Sequence, residues 1–178
     1  GVQTCALPIF LVGLMGTGKS TLGRHIASYM ERPFLDTDAL IEKKEEATIT
    51  SIFSKHGEPY FRECETRILQ SIIHTPPSVV ATGGGLIESP KNQVLLQEYG
   101  RTYWLYTPIN ILYDRLKTDT SRPLLKGEKL LPVLKKLYKK RLPIYRSIST
   151  MKVDTRNPND IESLTQLIVG DFNHYDTH

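Results

Sequence analysis

Gly13-Leu14-Met15-Gly16-Thr17-Gly18-Lys19-Ser20 sets a lysine and a hydroxyl directly behind two glycines, Gly13 and Gly18, the pattern of a phosphate-binding loop. Glycine lets the backbone wrap closely, so N–H groups of Gly16, Thr17 and Gly18 and the start of a following helix point at phosphate oxygens. Lys19 would meet the β- and γ-phosphates, Ser20 would ligate Mg²⁺, and Thr21 completes the ATP-binding set. A glycine-rich turn is the plainer alternative. The flanks argue against it. The apolar run Ile9–Val12 reads as a buried strand, and Leu22, Ile26 and Met30 recur every four residues as one helix face.

Three further clusters could serve the same chemistry. In Asp36-Thr37-Asp38 the two carboxylates point to opposite sides if a strand continues through them. Asp36 would then face Mg²⁺ through water and Asp38 the phosphate acceptor. Helix capping is the alternative, and it explains one acid better than two. Gly83-Gly84-Gly85 leaves room for a ligand against the backbone, or is a flexible turn. Arg62 and Glu65, spaced i, i+3, form a surface ion pair or hold an arginine fork ready for a carboxylate.

Charge is unevenly placed. Residues 122–146 carry nine basic side chains (Arg122, Lys126, Lys129, Lys135, Lys136, Lys139, Lys140, Arg141 and Arg146) against Glu128 alone. That segment holds +8, which leaves −4 for the rest of a chain whose net charge is +4. Phosphoryl transfer needs cations over the γ-phosphate and a closure that excludes water, and a basic segment hinged at Pro123 and Pro143 would supply both. A solvated helix face is the other reading of the lysines. A sequence pI near 9.0 does not point to nucleic acid here, because the excess belongs to one segment and no helix-turn-helix or aromatic platform accompanies it.

Short apolar runs alternate with helical patterns. Strands are expected at Ile9–Val12, Phe34-Leu35, Val79–Ala81, Tyr103–Tyr106 and Met151–Val153. Helices are expected over 20–30, 37–46, 59–74, 90–99, 110–117, 130–140 and 161–169. This alternation predicts a single α/β domain with a mainly parallel sheet, whose ligands sit beyond the carboxyl ends of the strands. Three of those ends would be the phosphate loop, Asp36–Asp38 and the glycine run. The 178 residues, 39% hydrophobic and 24% charged, suit a soluble globular chain, and no apolar run is long enough to span a bilayer. Two cysteines make no disulfide framework, Cys64 reads as a reduced, semi-buried thiol, and a cytoplasmic location is expected. Residues 1–9 resemble an in-frame translation of a sequencing adaptor, which predicts a non-native segment there and one domain over 10–178.

Taken in order, the phosphate loop, Asp36-Thr37-Asp38, Phe61-Arg62 with Glu65, Gly83–Gly85, Arg122-Pro123-Leu124-Leu125 and Arg141-x-Pro143-x-Tyr145-Arg146 resemble shikimate kinase from about Phe10 to Val169. The resemblance implies a three-layer P-loop kinase fold of the nucleoside-monophosphate-kinase type, with five parallel strands in the order 2-3-1-4-5 and a mobile lid over about 118–130. It implies ATP as donor, Mg²⁺ as cofactor, shikimate as acceptor, and a monomer with no nucleic-acid or membrane partner. By the same resemblance Asp38 meets the reacting hydroxyl, Arg62 and Arg141 clamp the acceptor carboxylate, and Gly84, with Gly85, meets a ring hydroxyl. Asp36 orders Mg²⁺, Arg122 swings onto the phosphates beside Lys19, and Arg115 and Arg156 line the adenine site. A gluconate-type kinase and a non-catalytic nucleotide-binding module are the rival functions.

Overall fold

Five short apolar runs build the sheet. The structure, a computed structural model, describes residues 7–119 and 129–176. Strands β1 (Ile9–Val12), β2 (Phe34–Asp36), β3 (Val79–Ala81), β4 (Arg101–Tyr106) and β5 (Met151–Asp154) lie parallel in the order β2-β3-β1-β4-β5. Alternation along β1 divides the core between two faces. Ile9 and Leu11 pack with Ile26, Tyr103 and Phe172, while Phe10 and Val12 pack with Leu69, Trp104 and Tyr145. Helices α1 (Lys19–Tyr29) and α7 (Ile161–Asp176) cover the first face. On the second lie α3 (Ile49–Ile72), α4 (Pro90–Tyr99) and α6 (Leu130–Ile148). Among the described residues the two remaining α-helices are α2 (Thr37–Glu45), packed on α3, and α5 (Ile109–Leu116). Each large apolar side chain fully buried in these layers contributes about 1.5–3 kcal/mol. The result is the expected three-layer arrangement.

Connectivity places the ligand crevice. The chain leaves β1 toward β2 on one side of the sheet and later fills the other side with β4 and β5. The switch point therefore lies over the carboxyl end of β1, where the phosphate loop begins. Ile9 is itself the first residue of β1, fully buried and paired with Val79 and Arg101, so the boundary expected at residue 10 falls inside a strand. Most of the lid expected over 118–130, Arg122 included, lies outside the described residues. Among those described, no helix is long and apolar enough to cross a membrane. Cys64 is buried more fully than expected.

Three local expectations change. The strand does not continue through Asp36-Thr37-Asp38. It ends at Asp36, whose extended backbone (φ −117°, ψ 121°) makes it the N-cap of α2. A helix also begins earlier than residue 59: Thr48 caps it by accepting from Ser51 N at 3.1 Å, and the chain kinks at Gly57 (φ 81°) before Pro59 restarts it. That left-handed φ strains any residue with a Cβ. Finally, α6 does not stop at Lys140 but runs through Pro143 to Ile148. Burial of Arg141, Tyr145 and Ile148 outweighs the backbone hydrogen bond that proline cannot make.

A buried amide fixes the turn after β3. Asn92 is fully buried, donates to the Leu86 carbonyl at 2.9 Å and accepts from the Thr66 hydroxyl at 2.9 Å, joining α4, the turn and α3. Asn92→Ala would take this donor from the Leu86 carbonyl and leave Thr66 only its 3.2 Å bond to the Arg62 carbonyl, and chemical denaturation should show a loss of about 1–3 kcal/mol.

Candidate active site

The phosphate loop, the end of β2 and the glycine run meet at one cavity of about 250 Å³, walled by Gly18, Lys19, Ser20, Asp36, Asp38 and Gly83 among others. Gly16 and Gly18 carry left-handed φ of 81° and 91°, which turns the loop back on itself. Lys19 Nζ donates to the carbonyls of Gly13 at 2.8 Å and Leu14 at 3.0 Å, so its charge is held over the loop. Ser20 Oγ lies 3.4 Å from Asp36 Oδ2. The other oxygen, Asp36 Oδ1, accepts from Asp38 N at 2.9 Å and Ala39 N at 3.2 Å. One carboxylate thus caps α2 and faces the phosphate loop. Asp38 stands in the first turn of α2 and not on the opposite side of a strand, yet it still faces the cavity.

Each glycine of the run is met by a different charged side chain. A Cβ on Gly83 would collide with Asp38 Oδ1. One on Gly84 would stand 2.9 Å from Arg141 Nη1, and one on Gly85 would strike the Arg62 guanidinium. Their φ values are unremarkable, so the requirement is close approach and not a special turn. Behind the run, the fully buried Thr37 hydroxyl accepts from Gly83 N at 2.7 Å. Arg62 donates to Glu65 at 2.8 Å and Glu58 at 3.2 Å, which orients its fork. Arg141 is 7% exposed, and its Nε and Nη1 find no aligned acceptor among the described residues. Buried guanidinium donors without acceptors are costly, and an anion would satisfy them. Burial pushes the Glu65 carboxyl up to about 7, although the Arg62 hydrogen bond pulls the other way.

On the far side of the loop a second cavity, about 340 Å³, is lined by Thr17, Arg115, Thr155, Pro158, Ile161 and Leu164 among others. Arg115 faces it while donating to the carbonyls of Gly16, Thr155 and Arg156, each at 2.9 Å. Arg156 does not reach the wall. Its guanidinium is held by Asp154 at 2.7 Å, which leaves only its carbonyl in the network. Thr155 Oγ1 donates to the Thr17 carbonyl at 2.7 Å and so ties this cavity to the phosphate loop.

A family model described as shikimate kinase matches residues 15–170. The chain is 40% identical to the shikimate kinase of Sulfurihydrogenibium sp. (strain YO3AOP1) over 162 residues, covering 89% of this chain and 96% of that one. It belongs to the shikimate kinase family. A solved shikimate kinase from Acinetobacter baumannii in complex with shikimate superposes with a TM-score of 0.85 at 39% identity, covering 93% of this chain and 94% of that one. A gluconokinase from Sinorhizobium meliloti, at 17% identity and a TM-score of 0.56, shares the fold alone.

Thr37, Thr155, Glu58, Glu88 and Asn92 also support the candidate site, and the sequence alone assigns none of them a role there. Thr37 sits inside a motif already singled out, but Asp36 supplies the cap and the Thr37 hydroxyl serves the Gly83 amide, 46 residues on. Glu58 stands one helical turn before Arg62, an i, i+4 spacing legible in the sequence, whereas Thr155, Glu88 and Asn92 meet partners far along the chain.

The Glu65 shift has a direction in stability. Its folded pKa, about 7, lies above the ordinary 4.5, so between those values the folded chain holds a proton that the unfolded chain has lost. Stability from this group is present below pH 4.5 and falls as pH rises through about 7. Denaturation at pH 5 and pH 8 should therefore show a smaller loss with rising pH in Glu65→Gln than in the parent.

Proposed function

We propose that this chain transfers the γ-phosphoryl group of ATP to the 3-hydroxyl of shikimate, giving shikimate 3-phosphate and ADP. The observation that carries the reading is the glycine run met in turn by Asp38, Arg141 and Arg62, directly beside a phosphate loop. An acceptor with one carboxylate and several hydroxyls suits two guanidinium forks, one acid and exposed backbone. Family membership favours this acceptor over gluconate. On the same reading the enzyme is a cytoplasmic monomer without nucleic-acid or membrane partners.

The acceptor carboxylate binds Arg141 and Arg62, with Glu65 and Glu58 keeping the Arg62 fork in place. A ring hydroxyl meets the Gly84 backbone with Gly85 beside it, and the reacting hydroxyl meets Asp38. Its oxygen attacks the γ-phosphorus while the bond to the ADP oxygen breaks, and the Asp38 carboxylate takes the hydroxyl proton. Lys19 exchanges its loop carbonyls for phosphate oxygens. Arg122 is assigned to the same oxygens, Thr21 to the α-phosphate end, and Arg115 to the adenine wall. Such preorganised charge is the main source of rate for phosphoryl transfer. Ser20 and Asp36 fit a magnesium ion, because a hydroxyl and a carboxylate at the cavity wall are the hard oxygen donors it takes beside water and phosphate. When bound, Mg²⁺ neutralises charge on the β- and γ-phosphates.

ADP release should depend on shikimate and not on gluconate or nucleoside monophosphates. Release with gluconate alone would overturn the assignment. Asp38→Asn should lower kcat by about 10²–10⁴ with little change in the KM of ATP. An unchanged kcat would remove Asp38 from the reaction.

A further inference from the structure

Glu88 ends the short 3-10 turn, Leu86–Glu88, that follows the glycine run, and three cations converge on its carboxylate. Lys140 Nζ lies 2.7 Å from Oε1, an ion-pair contact outside hydrogen-bond alignment. On Oε2, Arg141 Nη2 stands at 3.6 Å and Arg62 Nη2 at 3.8 Å. Both exceed hydrogen-bond range, so Oε2 lies between the two forks without orienting either. Orientation of Arg62 comes from Glu65 and Glu58 instead. Burial pushes the Glu88 carboxyl up, yet Lys140, Arg141 and Arg62 together hold it below the ordinary carboxylate range. An internal carboxylate already sits in the field of the two guanidinium groups that the proposed function gives to the acceptor.

We propose that Glu88 attenuates the acceptor clamp: its charge competes with the acceptor carboxylate for Arg62 and Arg141, and Lys140 sets the strength of that competition by drawing Glu88 toward itself. The inference rests on the reading of Arg62 and Arg141 given above. An attenuated clamp has a use, since the phosphorylated product keeps the same carboxylate and must leave. Three cations gathered without Glu88 would hold substrate and product more tightly alike, which lowers KM without raising kcat.

Steady-state kinetics with shikimate and with its uncharged carboxamide test the idea. Glu88→Gln should lower the KM of shikimate about three- to tenfold, the scale of one partly screened charge pair. Lys140→Met should raise it, because Glu88 is then left wholly to the arginines. Neither change should move the KM of ATP or of the carboxamide. A KM of shikimate that rises or stays constant in Glu88→Gln, or an equal shift for the carboxamide, overturns the proposal. If Glu88→Gln fails to fold, an unchanged KM in the surface variant Lys140→Met overturns it alone. Arg141→Ala separates the two layers of the argument. If that variant leaves the KM of shikimate alone, the clamp assignment itself is wrong. If it raises KM while Glu88→Gln does not lower it, only the role of Glu88 fails.

Discussion

The charged ends of Asp38, Arg141 and Arg62 lie against the backbone of Gly83, Gly84 and Gly85 in turn, so a side-chain carbon there would have to push one of them aside. That steric limit organises the acceptor half of the molecule. It requires β3 to end beside β1 and β2, so that Asp38 arrives from α2 on one flank. Arg62 must come from α3 and Arg141 from α6, two helices on the same face of the sheet. Asn92 and Thr37 then hold the run from behind, one through the Leu86 carbonyl and one through the Gly83 amide. Shape and charge are thus set by the same three residues. A methyl group at any of them would displace a charge and not merely crowd a cavity.

The donor half is built differently. Its loop is braced through hydrogen bonds to distant backbone: Thr155 to the Thr17 carbonyl, and Arg115 to the Gly16, Thr155 and Arg156 carbonyls. Arg115 therefore serves as a strut as well as a wall, and the two cavities share the loop between them. Electrostatics follow the same division. The acceptor side gathers Arg62, Arg141 and Lys140 around Glu65 and Glu88, whereas on the donor side Lys19 is held by loop carbonyls.

What could be read in the chain alone was local or carried by family pattern. The phosphate loop and the five strands are local patterns, the order 2-3-1-4-5 comes from the resemblance, and Asp38, Arg62, Arg141 and the glycine run, singled out by motif, do converge in space. What escaped was decided by tertiary context. The Ile49–His56 helix begins with β-branched residues that weaken its pattern, although Thr48 offered a cap. Pro143 reads locally as a helix stop, yet buried Tyr145 stacks on Trp104 with ring centroids 5.4 Å apart and carries the helix past it. Arg156 is the exception, since the Asp154 that holds its guanidinium lies only two residues away in sequence. Glu88 matters only because Arg62, Lys140 and Arg141 come to it from elsewhere in the chain.

Asp36 has a consequence beyond the site. One carboxylate oxygen ends the strand and opens α2, a capping role worth about 1 kcal/mol, while the other faces Ser20 across the phosphate loop. Acids placed for catalysis commonly weaken the fold that holds them. On the proposed reading the same side chain serves both, so the fold gains from the group that chemistry would need. Mutational drift at this position is thereby constrained twice: Asn keeps the cap but loses the charge, and Glu keeps the charge but lengthens the arm. A substitution scan scored only on activity would record one defect where two independent ones coincide.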